Sequence, residues 1–108
     1  LTPLISAVQS GYVAGARVLI ERGARINQAN GGGETALHGA VHRRDVAMVR
    51  LLMDLGANPD ITDNLAGKST RDYASEDRRS AAVLAAINAP RTSSTTGIVI
   101  QGPVQGPR

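Results

Sequence analysis

The 108-residue sequence predicts an all-α fold, a solenoid of about three stacked helix-turn-helix units, and three observations carry that expectation. The chain aligns with itself at a fixed period. Within each period the apolar residues return at three and four positions, the spacing of one helix face. Each longer apolar run then stops at Gly-Ala, where glycine supplies the left-handed conformation that ends a helix.

The period is explicit when "TPLISAVQSGYVAGARVLIERGARIN" (2–27) is set under "TALHGAVHRRDVAMVRLLMDLGANPD" (35–60). Thr2 falls on Thr35, Leu4 on Leu37, Ala7 on Ala40, Leu19 on Leu52 and Gly23 on Gly56, always 33 residues apart. A third, degenerate copy begins at "GKSTRDYA" (67–74), where Ser69 matches Thr35 and Ala74 matches Ala40 at an offset of 34. One residue has therefore been added in the connecting "TDNLAG". Units at 1–29, 30–62 and 63–88 follow, the first truncated, with a Pro/Gly/Ser/Thr-rich segment at 89–108. A repeat of this length is one supersecondary unit stacked on its neighbours.

In the first unit Thr2, Pro3 and Leu4 open a short helix, and a second helix runs from Val13 to Arg22 and ends at Gly23. In the second unit Thr35 caps a helix through its hydroxyl, and Leu37, Ala40 and Val41 form its apolar face. A broader apolar surface spans Val46 to Leu55, with Met48, Val49, Leu51 and Leu52 in it, and Gly56 stops that helix. In the third, Ser69 caps and Asp72, three residues on, completes a capping box. Between units, "ARINQANGGGE" and "ANPDITDNLAGK" read as tight hairpin turns. Neither helix of a unit buries its apolar side alone, so the units must stack.

Composition agrees. Aromatic residues are 2% of the chain, with no Phe or Trp, so the core is built from Leu, Val, Ile, Ala and Met in thin layers. The absence of cysteine excludes disulfide frameworks, thiolate zinc sites and cysteine nucleophiles and leaves the compartment open. The net charge of +3 comes from arginine, Lys68 being the sole lysine. Arg43-Arg44 precedes Asp45, and Arg78-Arg79 follows Glu76-Asp77, so no basic stripe with stacking aromatics forms and no nucleic-acid partner is expected. No apolar run approaches membrane-spanning length, so no membrane partner is expected either. A monomer is the expected state.

Here the sequence resembles a known family. "TPL" at 2–4 and "GETALHGA" at 33–40 are similar to the G-x-T-P-L-H-x-A signature of ankyrin repeats, as are the helix endings "LIERGA" and "LLMDLGA". The likeness covers roughly four-fifths of the chain, and "TDNLAGKSTRDYA" resembles the last repeat of some bacterial ankyrin repeat proteins. Arg71 replaces the family's apolar Leu, Thr70 its Pro or Ala, and Ser80 with Ala81-Ala82 thins the last helix. Those departures fit a C-terminal cap with one face towards water. The resemblance implies that His38 is the structural histidine of the signature, tying one turn to its neighbour, and that His42 lies one turn on, on the concave face. It implies a non-enzymatic scaffold for a protein partner, with further repeats before Leu1. The rival is a regulatory or targeting segment of a larger enzyme whose catalytic part lies upstream. Family members are both exported and cytoplasmic.

Other short patterns invite chemistry and fall short of it. His38 and His42 are four apart, but a zinc protease helix needs H-E-x-x-H, and Gly39 stands where the glutamate belongs. Two ligands leave most of a tetrahedral shell unfilled, so no metal is expected. Gly67-Lys68-Ser69 matches the end of a phosphate-binding loop, yet Thr62 replaces its first glycine and no strand precedes it. "NGGGE" (30–34) reads as a turn in which Gly33 is the glycine that the repeat requires. Glu76 and Asp77 are adjacent, on different azimuths of a helix, and are expected to face Arg78-Arg79 rather than another acid. No catalytic residue and no cofactor are expected.

With core, caps and turns set aside, a candidate partner surface remains. Hairpin tips offer Asn30 and Glu34, then Asn64, Leu65 and Lys68. The exposed sides of the inner helices offer Gln9 and Ser10, His42 and Arg43, Glu76 and Asp77. Across the stack this strip runs from neutral through basic to acidic, which suits a protein partner, with Arg43 as its expected anchor. The closing "APRTSSTTGIVIQGPVQGPR" reads as extended, unfolded chain in which Ile98-Val99-Ile100 is a short apolar exception.

Overall fold

A computed structural model describes residues 2–89; the closing Pro/Gly/Ser/Thr-rich segment from residue 90 onward, with Ile98–Ile100, lies outside the described residues. Six α-helices follow one another: α1 (Pro3–Gln9), α2 (Val13–Glu21), α3 (Ala36–His42), α4 (Val46–Asp54), α5 (Thr70–Glu76) and α6 (Ala81–Asn88). A single 3-10 turn, Arg78–Ser80, leads into the last of them. Helices α1, α3 and α5 pack in one layer and α2, α4 and α6 in a second, each odd helix packing against its successor in the same unit. No strand occurs among the described residues.

The sequence accounts for each helix boundary. Thr2, Thr35 and Ser69 are extended at the N-cap, and their hydroxyls accept the N–H three residues on, from Ile5, His38 and Asp72. At the other end α2 and α4 close with the same pair of bonds. Ala24 N–H reaches Leu19 O at 2.9 Å and Gly23 N–H reaches Ile20 O at 3.0 Å; Ala57 and Gly56 repeat this on Leu52 and Met53. Both glycines have φ near 100° (102° and 105°), where a Cβ would be strained. The longer helices therefore stop one residue before the sequence expectation, at Glu21 and Asp54, with Arg22 and Leu55 as caps.

The core lies between the layers and between units. Leu4, Ile5 and Val8 of α1, Leu37, Ala40 and Val41 of α3, and Met48, Val49, Leu51 and Leu52 of α4 are buried, as are Val83, Ala86 and Ile87 of α6. Each large side chain here contributes about 1.5–3 kcal/mol by leaving water. In α6, Ala82 and Ala85 are exposed where the equivalent Met48 and Leu51 of α4 are buried. Arg71 departs from Leu4 and Leu37 in the same way: it pairs with Asp60 at 2.9 Å and donates to Asn88 instead of entering the core. Thr70 anchors the start of α5 by donating its hydroxyl proton to Pro59 O at 2.9 Å. The described end of the stack is thus finished with small and charged side chains, compatible with contact with water.

Candidate functional site

The residues expected at the surface fall into three groups. Around α1 and α3, Arg43 Nη1 donates to the carbonyl of Gln9 at 2.8 Å, so the guanidinium bridges the first and second units. Gln9 and Ser10 are exposed beside it. Arg43, the expected anchor, is therefore partly engaged within the stack.

The second group is a polar network between the second and third units. Glu34 uses both carboxylate oxygens, one facing His42 Nε2 at 3.1 Å and the other accepting from Asn64 Nδ2 at 2.9 Å. Asn64 Nδ2 also lies 3.1 Å from the Tyr73 hydroxyl, and the Tyr73 ring meets the His42 ring edge-on at 4.7 Å. Lys68 sits 5.9 Å from that ring and pairs with Glu76 at 2.8 Å. The Glu76 carboxylate, acting first through this hydrogen bond, raises the Lys68 ammonium above its usual range. Glu76 thus faces Lys68, whereas the sequence placed it against Arg78-Arg79; the hairpin folds back over α5 and brings the lysine within reach.

Asn64 corrects a second expectation. It is only 7% exposed rather than displayed at a tip. Its Oδ1 accepts from Lys68 N–H at 2.9 Å and closes the hairpin. Asn30, 34 residues earlier, does the same for its own hairpin, accepting from Gly32 and Glu34 N–H at 2.8 and 3.1 Å. Both asparagines are hairpin fasteners. Leu65 stands at the opposite extreme, 98% exposed.

The third group surrounds Asp77. Arg79 holds its carboxylate through Nε and Nη2 at 3.2 and 3.3 Å, and Arg44 Nη1 approaches to 3.7 Å. The Arg79 side-chain and main-chain hydrogen bonds, with the charges of Arg79 and Arg44, hold Asp77 below the ordinary carboxylate range. Beside this cluster a cleft of about 410 Å3 opens between the units. Val41, His42 and Arg44 line one wall and Tyr73, Glu76 and Arg79 the other.

Sequence reading missed Arg44, Tyr73 and Arg79 here. Two signals were available: Arg44 aligns with Gly11, and Tyr73 aligns with Gly39 and Ser6, a large ring at a small-residue position.

His38 is 0% exposed, and both of its ring nitrogens are engaged. Nδ1 accepts from Thr35 N–H at 3.1 Å, so Nε2 carries the proton and donates to Lys68 O at 3.1 Å. His38 and His42 therefore point to different partners. Among the described residues no group of three or more His, Cys, Asp or Glu is placed to hold a metal ion, and no helix is long and apolar enough to cross a membrane.

Short helix pairs, stacked in two layers and joined by Asn-fastened hairpins, define a helical repeat protein. The family model described as ankyrin repeats (3 copies) matches residues 1–63, and the chain belongs to that family. The match ends before α5, so the third unit is assigned by its structure. An ankyrin repeat-containing protein of Treponema pallidum (strain Nichols) is 46% identical over 71 residues, which is 66% of this chain and 24% of that protein. The BRCA1-associated RING domain protein 1 of Caenorhabditis elegans is 39% identical over 77 residues, 70% of this chain and 11% of that protein. An ankyrin repeat and LEM domain-containing protein 1 homolog from the same organism is 45% identical over 62 residues, 57% and 9% respectively. The chain spans about a quarter or less of the length of these relatives. Ankyrin repeats generally mediate protein–protein interaction and are typically non-catalytic.

Proposed function

We propose that this segment is a non-catalytic scaffold that binds a partner protein through the concave inner-helix face and the hairpin tips. The observation that carries the reading is the state of that face: His42, Arg43 and Glu76 are exposed, yet bonds within and between units fix their positions. A surface ordered before binding loses little conformational freedom when a partner docks. Leu65, held out at its hairpin tip, adds a large apolar contact. Asn64, buried beneath its hairpin, supports the face from inside, and half-buried Asn30 fastens the other tip.

The test is amide hydrogen exchange on the intact protein with a captured partner. Protection should fall on α1, α3, α5 and the hairpins. Protection confined to the exposed sides of α2 and α4 would refute the assignment of the face.

A second reading has one observation in its favour. The relatives are several times longer than the matched stretch, and two carry RING and LEM domains by name. On that reading the segment regulates or targets a larger protein with an enzymatic part elsewhere, and the same face makes the contact.

A further inference from the structure

Arg44 is the sole non-glycine residue with positive φ among the described residues, at 53°. It stands just past the cap of α3, where its N–H bonds Val41 O at 2.9 Å and the next N–H, from Asp45, bonds Ala40 O at 3.0 Å. One unit earlier the same place is taken by Gly11, at φ 71°, with the same bonds from Gly11 to Val8 and from Tyr12 to Ala7. This turn favours glycine, because a Cβ crowds the backbone in the left-handed region. The backbone gains nothing from arginine. What the position gains is a guanidinium, and that guanidinium lines the cleft between the second and third units.

The hydrogen bonds in the cleft are unevenly shared. Glu76 is occupied by Lys68 and Glu34 by His42 and Asn64. Asp77 is clasped by Arg79, and Arg44 stands at 3.7 Å from it, beyond hydrogen-bond length. Two guanidiniums therefore share one carboxylate, and Arg44 brings donors that this carboxylate does not use. The half-buried Tyr73 ring supplies an apolar surface next to them. The cleft, at about 410 Å3, lies within the usual range for small-ligand sites of about 300–1,000 Å3.

We propose that this cleft receives an extended segment of a partner protein, with an Asp or Glu carboxylate on Arg44 and a neighbouring apolar side chain on the Tyr73 ring. The proposal rests on the protein-binding reading above and adds the chemistry of the partner. Arginine can hold such a carboxylate through two parallel hydrogen bonds.

The probe is a displayed library of random dodecapeptides, selected on the full chain, with the best binder resynthesised for titration. The enriched peptides should share an acidic residue adjacent to Leu, Ile, Val, Phe or Tyr. Amidation of that acid should weaken binding about tenfold, the value of one charge-assisted contact. Arg44→Gly should weaken binding equally while its thermal midpoint stays level or rises. Arg44→Asn, which also tolerates positive φ, should behave alike, and Arg50→Ala on α4 should bind as the parent does. Binders without an acid, a preference for phosphorylated peptides, or full affinity in Arg44→Gly would overturn the cleft assignment. If those binders are instead lost on changing Leu65 or Arg43, the protein-binding reading stands without it. A library yielding no binder also overturns the cleft, and the exchange experiment above then decides the broader reading separately.

Discussion

The Nε2–H of His38 donates to the main-chain carbonyl of Lys68 at 3.1 Å, joining the second unit's inner helix to the third unit's hairpin. The same ring fastens its own helix, because Nδ1 accepts the N–H of Thr35. In the first unit Ile5 holds this position and in the third Asp72 does, so the cross-unit tie belongs to His38. His38→Ala strands a buried N–H and a carbonyl and leaves a void, and should cost about 2–4 kcal/mol in urea denaturation. His38→Asp should fall between the two, since a carboxylate restores the cap and leaves Lys68 O without its donor. A nitrogen–proton NMR correlation should show the His38 proton on Nε2; a proton on Nδ1 would contradict this account.

The layered helices were legible in the sequence because their causes are local and repeated. A hydroxyl residue three positions ahead of the first polar partner and a glycine after the last apolar pair each fix a boundary through one or two backbone bonds. The surface was less legible. An asparagine in a hairpin has the same spelling whether its amide points outward or folds back on the chain, and Asn30 and Asn64 fold back. The Lys68–Glu76 pair depends on how the hairpin lies over α5, a three-dimensional relation between residues eight apart. Arg44 could have been noticed, since its partner in the self-alignment is Gly11.

Gly33 illustrates how closely the hairpins stack. Its φ is 78°, and a Cβ there would lie 2.3 Å from Asp63 O and 2.7 Å from Asn64 Cα in the next hairpin. Gly33→Ala combines an unfavourable φ with a clash against backbone, and should lose at least about 2 kcal/mol. Gly31→Ala meets nothing within 4 Å and should stay within about 0.5 kcal/mol of the parent. Parallel chemical denaturation of the two variants checks the contrast, and equal losses would refute the stacking argument.

Gly11 and Arg44 offer the reciprocal exchange. Gly11→Ala places a Cβ at φ 71° and within 3.1 Å of the Arg43 guanidinium, which itself donates to Gln9 O. A loss of about 1 kcal/mol is expected. Arg44→Gly removes the same strain from the second unit at the expense of a solvent-screened pair with Asp77. Its stability should match the parent or exceed it by up to about 1 kcal/mol. A clear loss in Arg44→Gly would mean that the Asp77 pair outweighs the backbone strain.

Acid should unfold the third unit through two carboxylates. Asp72 is held below its ordinary value of 3.8 first by the Ser69 main-chain N–H and then by the Ser69 side chain. Asp77 is held below 3.8 first by the Arg79 side chain and then by the Arg79 main-chain N–H. A carboxyl whose folded pKa is depressed stabilises the fold fully above its unfolded value, and that contribution disappears as pH falls through the folded value. Stability should therefore be level down to about pH 5 and decline below about pH 4. Asp72→Asn combined with Asp77→Asn should be less stable than the parent at pH 7, with a shallower acid limb, so that the two curves approach one another below about pH 3. Denaturation midpoints measured between pH 7 and pH 2 decide it: parallel curves would show that neither carboxylate couples folding to protons.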